Sequence, residues 1–373
     1  MNIELLESTA KALSAPGKGI LAADESAPSC AKRFEAVGVE CTEETRRQYR
    51  QILIETPGNE AQLSGIIFYD ETFWQKNDAG ETFAASAARR GILPGIKVDE
   101  GLVDLPGFPG EKISKGLDTL PERLAKYRDA GARFAKWRSV IQIQIPSPQP
   151  SPSKGEGADS ADSSTSAQGE GVILPTDEAI AANCFVLARY ARLCQEFDIV
   201  PIVEPEVLFD GTHTAERCQE VTALVYAILF DTLDFSRVHI PGAILKTGMV
   251  LPGKESGIAI DASDVAMRTV GVFRGYVPQE LGGVVFLSGG QTPDDAFRNL
   301  AAIVQGGPHP WGLTFSYSRA LQDPVLKYWA ANREDRAGAE KVFSAQLDRA
   351  TKASRGEFIE SDAGAFVSAG QDT

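Results

Sequence analysis

Eight short apolar runs, spread along the chain and separated mostly by helical patterns, constrain its folding more than any other feature. They read as strands at 19–26, 65–70, 91–99, 133–141, 199–206, 242–250, 283–290 and 313–317. Helical stretches fall at 3–14, 42–55, 120–132, 176–197, 213–230 and 261–274, and the stretch 323–355 is helical as well. Thr42 and Thr176 or Asp177 stand where caps belong. Thr292-Pro293-Asp294-Asp295 opens a further helix with a cap, a proline at the first helical position and acids in the first turn. Eight strands alternating with helices is the count for a single-domain α/β fold, the (β/α)8 or TIM barrel. Such a barrel with insertions absorbs all 373 residues, although length alone suggests two or three domains.

The pattern is interrupted once. From Pro146 to Gly171 there is no Val, Ile, Leu, Met or aromatic residue. Such a segment cannot bury enough surface to offset its ordering entropy, so 146–171 is expected to be a disordered insertion after the fourth strand, with a docking tract as the rival reading. Residues 356–373 are expected to form a flexible C-terminal tail.

Charge and composition remove several function classes. The formal net charge of −14 repels nucleic acid and anionic lipid, so neither is an expected partner, and an anionic substrate must be held by a local basic cluster. The five cysteines (Cys30, Cys41, Cys184, Cys194, Cys218) are scattered and lack Cys-x-x-Cys spacing, which fits reduced thiols in the cytoplasm. No signal peptide and no run of membrane-spanning length is present. The three histidines (His213, His239, His309) lie far apart, which argues against imidazole-bound zinc but leaves carboxylate-bound magnesium open. No cofactor and no metal are expected.

In a TIM barrel the strand C-termini and the loops after them form the active-site face. That makes a test available. Polar residues sit near seven strand ends: Asp24, Lys97, Lys136 with Arg138, Glu204 with Glu206, Lys246, Ser288 and Arg319. A lumen built for stability alone would carry Val, Ile and Leu there. Lys246, in the apolar run Gly242–Val250, is the centre of the set. Taken alone it reads as a strand-end lysine reaching solvent; inside a barrel mouth it reads as a desolvated amine that attacks a carbonyl and forms a Schiff base.

Schiff-base chemistry needs a proton shuttle within hydrogen-bond reach. Glu204 and Glu206, two apart, point to one face, and their mutual repulsion is expected to raise one pKa while lysines lower the other. The alternative is a pair that only neutralises lysines. Lys136 and Arg138 repeat the spacing; Lys136 either disfavours protonation of Lys246 or serves only as a salt bridge to Glu204. Asp24 either accepts a substrate hydroxyl proton or braces a loop. Ser288-Gly289-Gly290 before the helix at Thr292 is a phosphate-binding arrangement, with Ser316, Ser318 and Arg319 beside it. Lys32, Arg33 and Lys97 form a second basic set, for another phosphate or as a solvated face. Two anion sites flanking a lysine imply a substrate phosphorylated at both ends.

In family order, the blocks GKGILAADES (17–26), GIKVD (95–99), FAKWR (134–138), VEPEVL (203–208), the run around Lys246, FLSGGQ (286–291) and LTFSYSRALQ (313–322) resemble class I fructose-bisphosphate aldolase. The resemblance implies that Lys246 forms the Schiff base and Glu204 is the main proton shuttle. It further implies that Asp24 and Lys136 act at C3–C4 cleavage, with Glu206 and Arg138 supporting the charge network. It places one phosphate on Ser288, Gly289 and Arg319, with Ser26, Ser29, Arg33 and Lys97 toward the other. The implied reaction is reversible cleavage of fructose 1,6-bisphosphate to glycerone phosphate and glyceraldehyde 3-phosphate, in glycolysis and gluconeogenesis, by a cytosolic homotetramer.

Three departures accompany it. Thr247-Gly248 stands where the family usually has Pro-Asn, predicting a looser strand end. Ser318 replaces a usual glycine, a strain of about 1 kcal/mol if the site needs φ > 0. The chain ends in Asp372-Thr373 rather than the tyrosine of animal members, so the resemblance does not carry a high bisphosphate preference. A barrel lyase using a bound metal and a degenerate aldolase retained for binding are the rival readings.

Overall fold

The computed structural model describes residues 1–144 and 173–362. The insertion at 146–171 and residues 363–373 of the tail lie outside them. The chain runs α1 (Ile3–Leu13), β1 (Gly19–Ala23), α2 (Ala27–Glu35), α3 (Glu43–Glu55), β2 (Leu63–Phe68), α4 (Asp70–Trp74), α5 (Phe83–Arg89), β3 (Leu93–Lys97), β4 (Leu102–Asp104), β5 (Lys112–Ser114), α6 (Leu120–Asp129) and β6 (Phe134–Ile141). It continues with α7 (Asp177–Glu196), β7 (Val200–Val207), α8 (Ala215–Phe235), β8 (Ile244–Thr247), α9 (Ala262–Tyr276), β9 (Val284–Phe286), α10 (Pro293–Gln305), β10 (Leu313–Tyr317), α11 (Arg319–Ala331) and α12 (Arg336–Ser354).

The strands β1-β10-β9-β8-β7-β6-β3-β2 close into one barrel with every neighbour parallel. These are the eight runs expected from the sequence, most of them shortened, with β2 beginning two residues earlier and β7 ending one residue later than expected. The run at 242–250 shortens most instructively: Ile240–Gly242 is a 3₁₀ turn, and the chain leaves the sheet at Gly248. The antiparallel β4–β5 hairpin was not anticipated, nor were the short helices α2, α4 and α5. Elements of three to nine residues span too few periods to announce themselves. The helical C-terminal stretch divides into α11 and α12, the second capped by Asp335, whose side chain accepts from the Gly338 amide.

Alternation along the strands sorts side chains into two cores. Trp137, Val203 and Leu245 join the larger cluster between barrel and helices. Phe134, Val200, Ile202, Ile244, Ile20, Ile67 and Val285 form the inner cluster, with Leu6, Ala10 and Leu13 of α1 packed against them. Because Ile244 is inward, the period of two makes Lys246 inward too, and Phe134 and Ile202 carry Lys136 and Glu204 with them. The lumen is therefore apolar at the α1 end and charged toward the strand C-termini. The apolar part is tightly filled: a Cβ on Gly95 would sit 2.2 Å from the Phe134 ring, and one on Gly65 would sit 2.9 Å from it. Glycine at these positions makes room for the largest lumen side chain. Of the expected tail, Phe358 packs near Phe297, with ring centroids 5.7 Å apart.

Gly95→Ala is expected to overpack this plug and to lower stability by about 1–3 kcal/mol. Urea unfolding checks it, and an unchanged midpoint would contradict the packing described.

Candidate active site

The charged end of the lumen opens into a cleft of about 230 Å³. At its base Lys246, 4% exposed, holds its Nζ 3.0 Å from Glu204 Oε1. Glu204 Oε2 lies 3.1 Å from Lys136 Nζ, which is 2.7 Å from Asp24 Oδ2. The four charges thus form one line across the lumen, from β8 through β7 and β6 to the end of β1. Register explains the order: Ile202 is level with both Lys136 and Ile244, so Glu204 sits one pleat above Lys136 and level with Lys246.

Burial alone would push both carboxyls up, but the surrounding ammonium groups outweigh it. Asp24, facing Lys136 and Lys246, is held well below the usual carboxylate range. Glu204 is likewise lowered, by Lys136, Lys246 and Arg138. Burial would lower the Lys136 pKa, yet Asp24, Glu204 and Asp99 raise it well above the usual lysine range. Of the glutamate pair, Glu204 is thus the member that the lysines hold down. The cations are nearer to it, and Glu206 is engaged by Arg138 through a hydrogen bond from Nε.

Around this line the cleft is walled by Ser26, Ser29, Lys97, Arg138, Glu206, Ser288, Gly289, Ser316, Ser318 and Arg319, all expected, and by Ala22, Glu25 and Leu287. Ser26 and Ser29 place their hydroxyls 3.1 Å apart at the start of α2, where Ser26 makes no side-chain cap. Lys97 donates to the Asp99 carbonyl and carboxylate at 2.8 and 2.6 Å. Asp99 also accepts from the Arg138 amide at 3.3 Å. The Ser316 hydroxyl is buried and has no hydrogen-bond partner among the described residues, and Glu204 Oε2 makes only its ionic contact with Lys136. Both atoms are free to bond a ligand.

Two expected binding residues lie elsewhere. Arg33 is outside the cleft lining, because Glu25 (2.5 Å) and Asp323 (2.7 Å) hold its guanidinium. Gly290 lies behind the turn, at φ +78°, where a Cβ would meet the Phe209 ring at 2.7 Å; it shapes the Ser288–Gly289 turn from outside. Lys32 is exposed and outside the lining as well. Glu25 was missed: it stands next to Asp24 in GKGILAADES, and only the fold shows that it faces Arg33, Arg50 and Ser318.

Two of the three departures prove well accommodated; the third, at Asp372-Thr373, lies outside the described residues. Thr247 is buried, its hydroxyl pairs with that of Tyr226, and its carbonyl accepts from the Leu287 amide at 2.8 Å, so the strand end is pinned rather than loosened. Ser318 has φ −105°, so a side chain there carries no left-handed strain.

Removing Lys136 should expose how much this line depends on one cation. Lys136→Met leaves Asp24 and Glu204 without their shared partner, an expected loss of about 3–5 kcal/mol at neutral pH. A carboxyl with a depressed folded pKa contributes stability above its unfolded pKa and loses it as pH falls through the folded value. The deficit of the variant should therefore shrink as pH falls below about 4, the ordinary carboxylate value, toward the depressed folded values. Urea unfolding at several pH values reads this, and a pH-independent deficit would contradict it.

The sequence profile "Fructose-bisphosphate aldolase class-I", of the glycolytic group, matches residues 4–159 and 154–371. The chain is 46% identical over 330 residues to the "Probable fructose-bisphosphate aldolase class 1" of Xanthomonas campestris pv. campestris, covering 88% of this chain and 91% of that one. It is 42% identical over 354 residues to "Fructose-bisphosphate aldolase 4, cytosolic" of Arabidopsis thaliana, covering 95% and 83%. The fructose-bisphosphate aldolase of Plasmodium falciparum, solved in complex with TRAP and a small molecule inhibitor, superposes with a TM-score of 0.86 at 42% identity, covering 96% of both chains.

Proposed function

The chain belongs to the class I fructose-bisphosphate aldolase family and is a carbon–carbon lyase, and from that premise we propose that Lys246 is its Schiff-base nucleophile. The observation that carries the reading is the buried line Lys246–Glu204–Lys136–Asp24. A buried ammonium 3.0 Å from a carboxylate can pass its proton across that one contact, leaving the free amine and the protonated acid that carbonyl addition requires.

The amine attacks C2 of fructose 1,6-bisphosphate. Glu204 returns its proton to the carbinolamine oxygen, water departs, and a protonated Schiff base remains. The C4 hydroxyl gives its proton to Asp24, with Lys136 steadying the charge on that oxygen. The C3–C4 bond breaks, its electrons move onto the imine nitrogen, and glyceraldehyde 3-phosphate leaves. Protonation of the enamine at C3 and hydrolysis then free glycerone phosphate and restore the amine. Arg138 and Glu206 keep the network charge-balanced.

One phosphate rests on Ser288, Gly289, Ser316 and Arg319 and the other on Ser26, Ser29 and Lys97, all of which line the cleft. Among the described residues no group of three or more His, Cys, Asp or Glu is arranged to hold a metal ion. No helix among them is long and apolar enough to cross a membrane. We place the enzyme in the cytoplasm as a homotetramer, in keeping with the family and with exposed Phe185, Phe235 and Met267 on α7, α8 and α9.

Lys246→Met should abolish cleavage, Glu204→Gln should lower kcat by about 10²–10⁴, and EDTA should leave the rate unchanged. Activity lost to EDTA and restored by a divalent ion would replace this reading with a metal-dependent lyase.

A further inference from the structure

Glu25 is a half-buried carboxylate in the wall of the cleft, a place where an incoming phosphate would be repelled. Its oxygens are saturated. Oε1 accepts from Arg33 Nη1 at 2.5 Å, from Gln322 Nε2 at 3.0 Å and from the Ser318 hydroxyl; Oε2 accepts from Arg50 Nη2 at 2.6 Å. Burial would push its pKa up, but Arg50 and Arg33 hold it below the usual carboxylate range. The carboxylate therefore draws its charge compensation from behind the wall and presents no bare anion to the ligand.

Ser318 is the contact on the cleft side. It is the cap residue of α11, yet it makes no side-chain cap. Its proton is committed to Glu25, so it cannot donate to a phosphate at the same time. It acts through its neighbours instead. Its carbonyl accepts from the amides of Leu321 and Gln322, fixing the first turn of α11, and the next residue is Arg319. Glu25 for its part directly precedes Ser26, the residue at the N-terminal boundary of α2. β1 and β10 are adjacent in the barrel, with Ile20 level with Ser316 and Leu21 with Tyr317. Gln322 adds a strap, donating to the Ala22 carbonyl at 2.6 Å.

We infer that the Glu25–Ser318 hydrogen bond is a positioning device that sets the spacing between the two phosphate-binding ends of the cleft. Ser26 and Ser29 lie on one side of the bond and Arg319 on the other. A ligand with phosphate at both ends senses that spacing; a ligand with one phosphate engages only one end and is indifferent to it. Ser318 is thereby a specificity determinant for bisphosphate over monophosphate ketoses. The inference rests on the Schiff-base reading above and on the two phosphate ends assigned there.

The test compares kcat and KM on fructose 1,6-bisphosphate and on fructose 1-phosphate for the unmodified protein, Ser318→Ala and Ser318→Thr. Ser318→Ala should lower the bisphosphate-to-monophosphate ratio of kcat/KM about tenfold, through KM for the bisphosphate. Ser318→Thr, which keeps the hydroxyl, should restore the ratio. A ratio unchanged in Ser318→Ala, or a loss equal on both substrates, would overturn the inference. If Ser318→Ala does not fold, Glu25→Gln, which keeps the shape and removes the charge, is measured in the same way with the same expected fall. An unmodified protein that cleaves neither substrate would instead remove the functional reading, so the two failures are distinct.

Discussion

The mouth of the barrel depends on Lys136. Three buried charges besides its own converge there, and each taken singly would be costly to withdraw from water. Lys136 holds Asp24 and Glu204 from opposite sides, and Glu204 in turn faces Lys246. The row carries two ammonium groups and two carboxylates, so it balances as a unit. A proton can move along it without creating net charge in the lumen. That is a physical requirement for acid–base work at a buried amine.

The barrel supplies what the row needs. Strand alternation and register fix which side chains share a level, and the apolar plug around Phe134 closes the other end of the lumen. Lys246 is held by a strand of only four residues, but both flanks are secured: β9 lies on one side, with Val285 level with Lys246 and the Leu287 amide bonded to the Thr247 carbonyl, and β7 pairs on the other, while the Thr247 hydroxyl is bonded to Tyr226. Lys246 thus sits on a rigid element. The residues we assign to the phosphates come from strand ends, loops and helix starts around it, where backbone amides and hydroxyls are available.

The eight barrel strands were legible because buried parallel strands are apolar runs bounded by turn residues, and charge at their ends marked the working face. Lys97, Arg138, Ser288 and Arg319 fall where strand-end reasoning put them, around the cleft, and Ser26 and Ser29, which the family resemblance supplied, line it as well. What sequence could not give was partner choice. Arg33 looked like a phosphate ligand because its charge was visible, whereas Glu25 and Asp323, which hold it, are near it only in the folded chain. The spacing of Glu204 and Glu206 did not say which of the two the lysines would hold down; the lysines of adjacent strands settle it for Glu204. Thr247 shows the reverse case, a local departure compensated by a tyrosine 21 positions earlier. The three-residue strands of the β4–β5 hairpin, with exposed Leu102 and Val103, carried too little pattern to be read.

The most direct measurement is chemical. Incubating the protein with glycerone phosphate, reducing with sodium borohydride and mapping the digested peptides by mass should locate the adduct on the peptide containing Lys246, at a stoichiometry approaching one per chain. A protein that turns over substrate while Lys246 remains unmodified, or that carries the adduct on a different lysine, would contradict the assignment of the nucleophile and the proton path built around it.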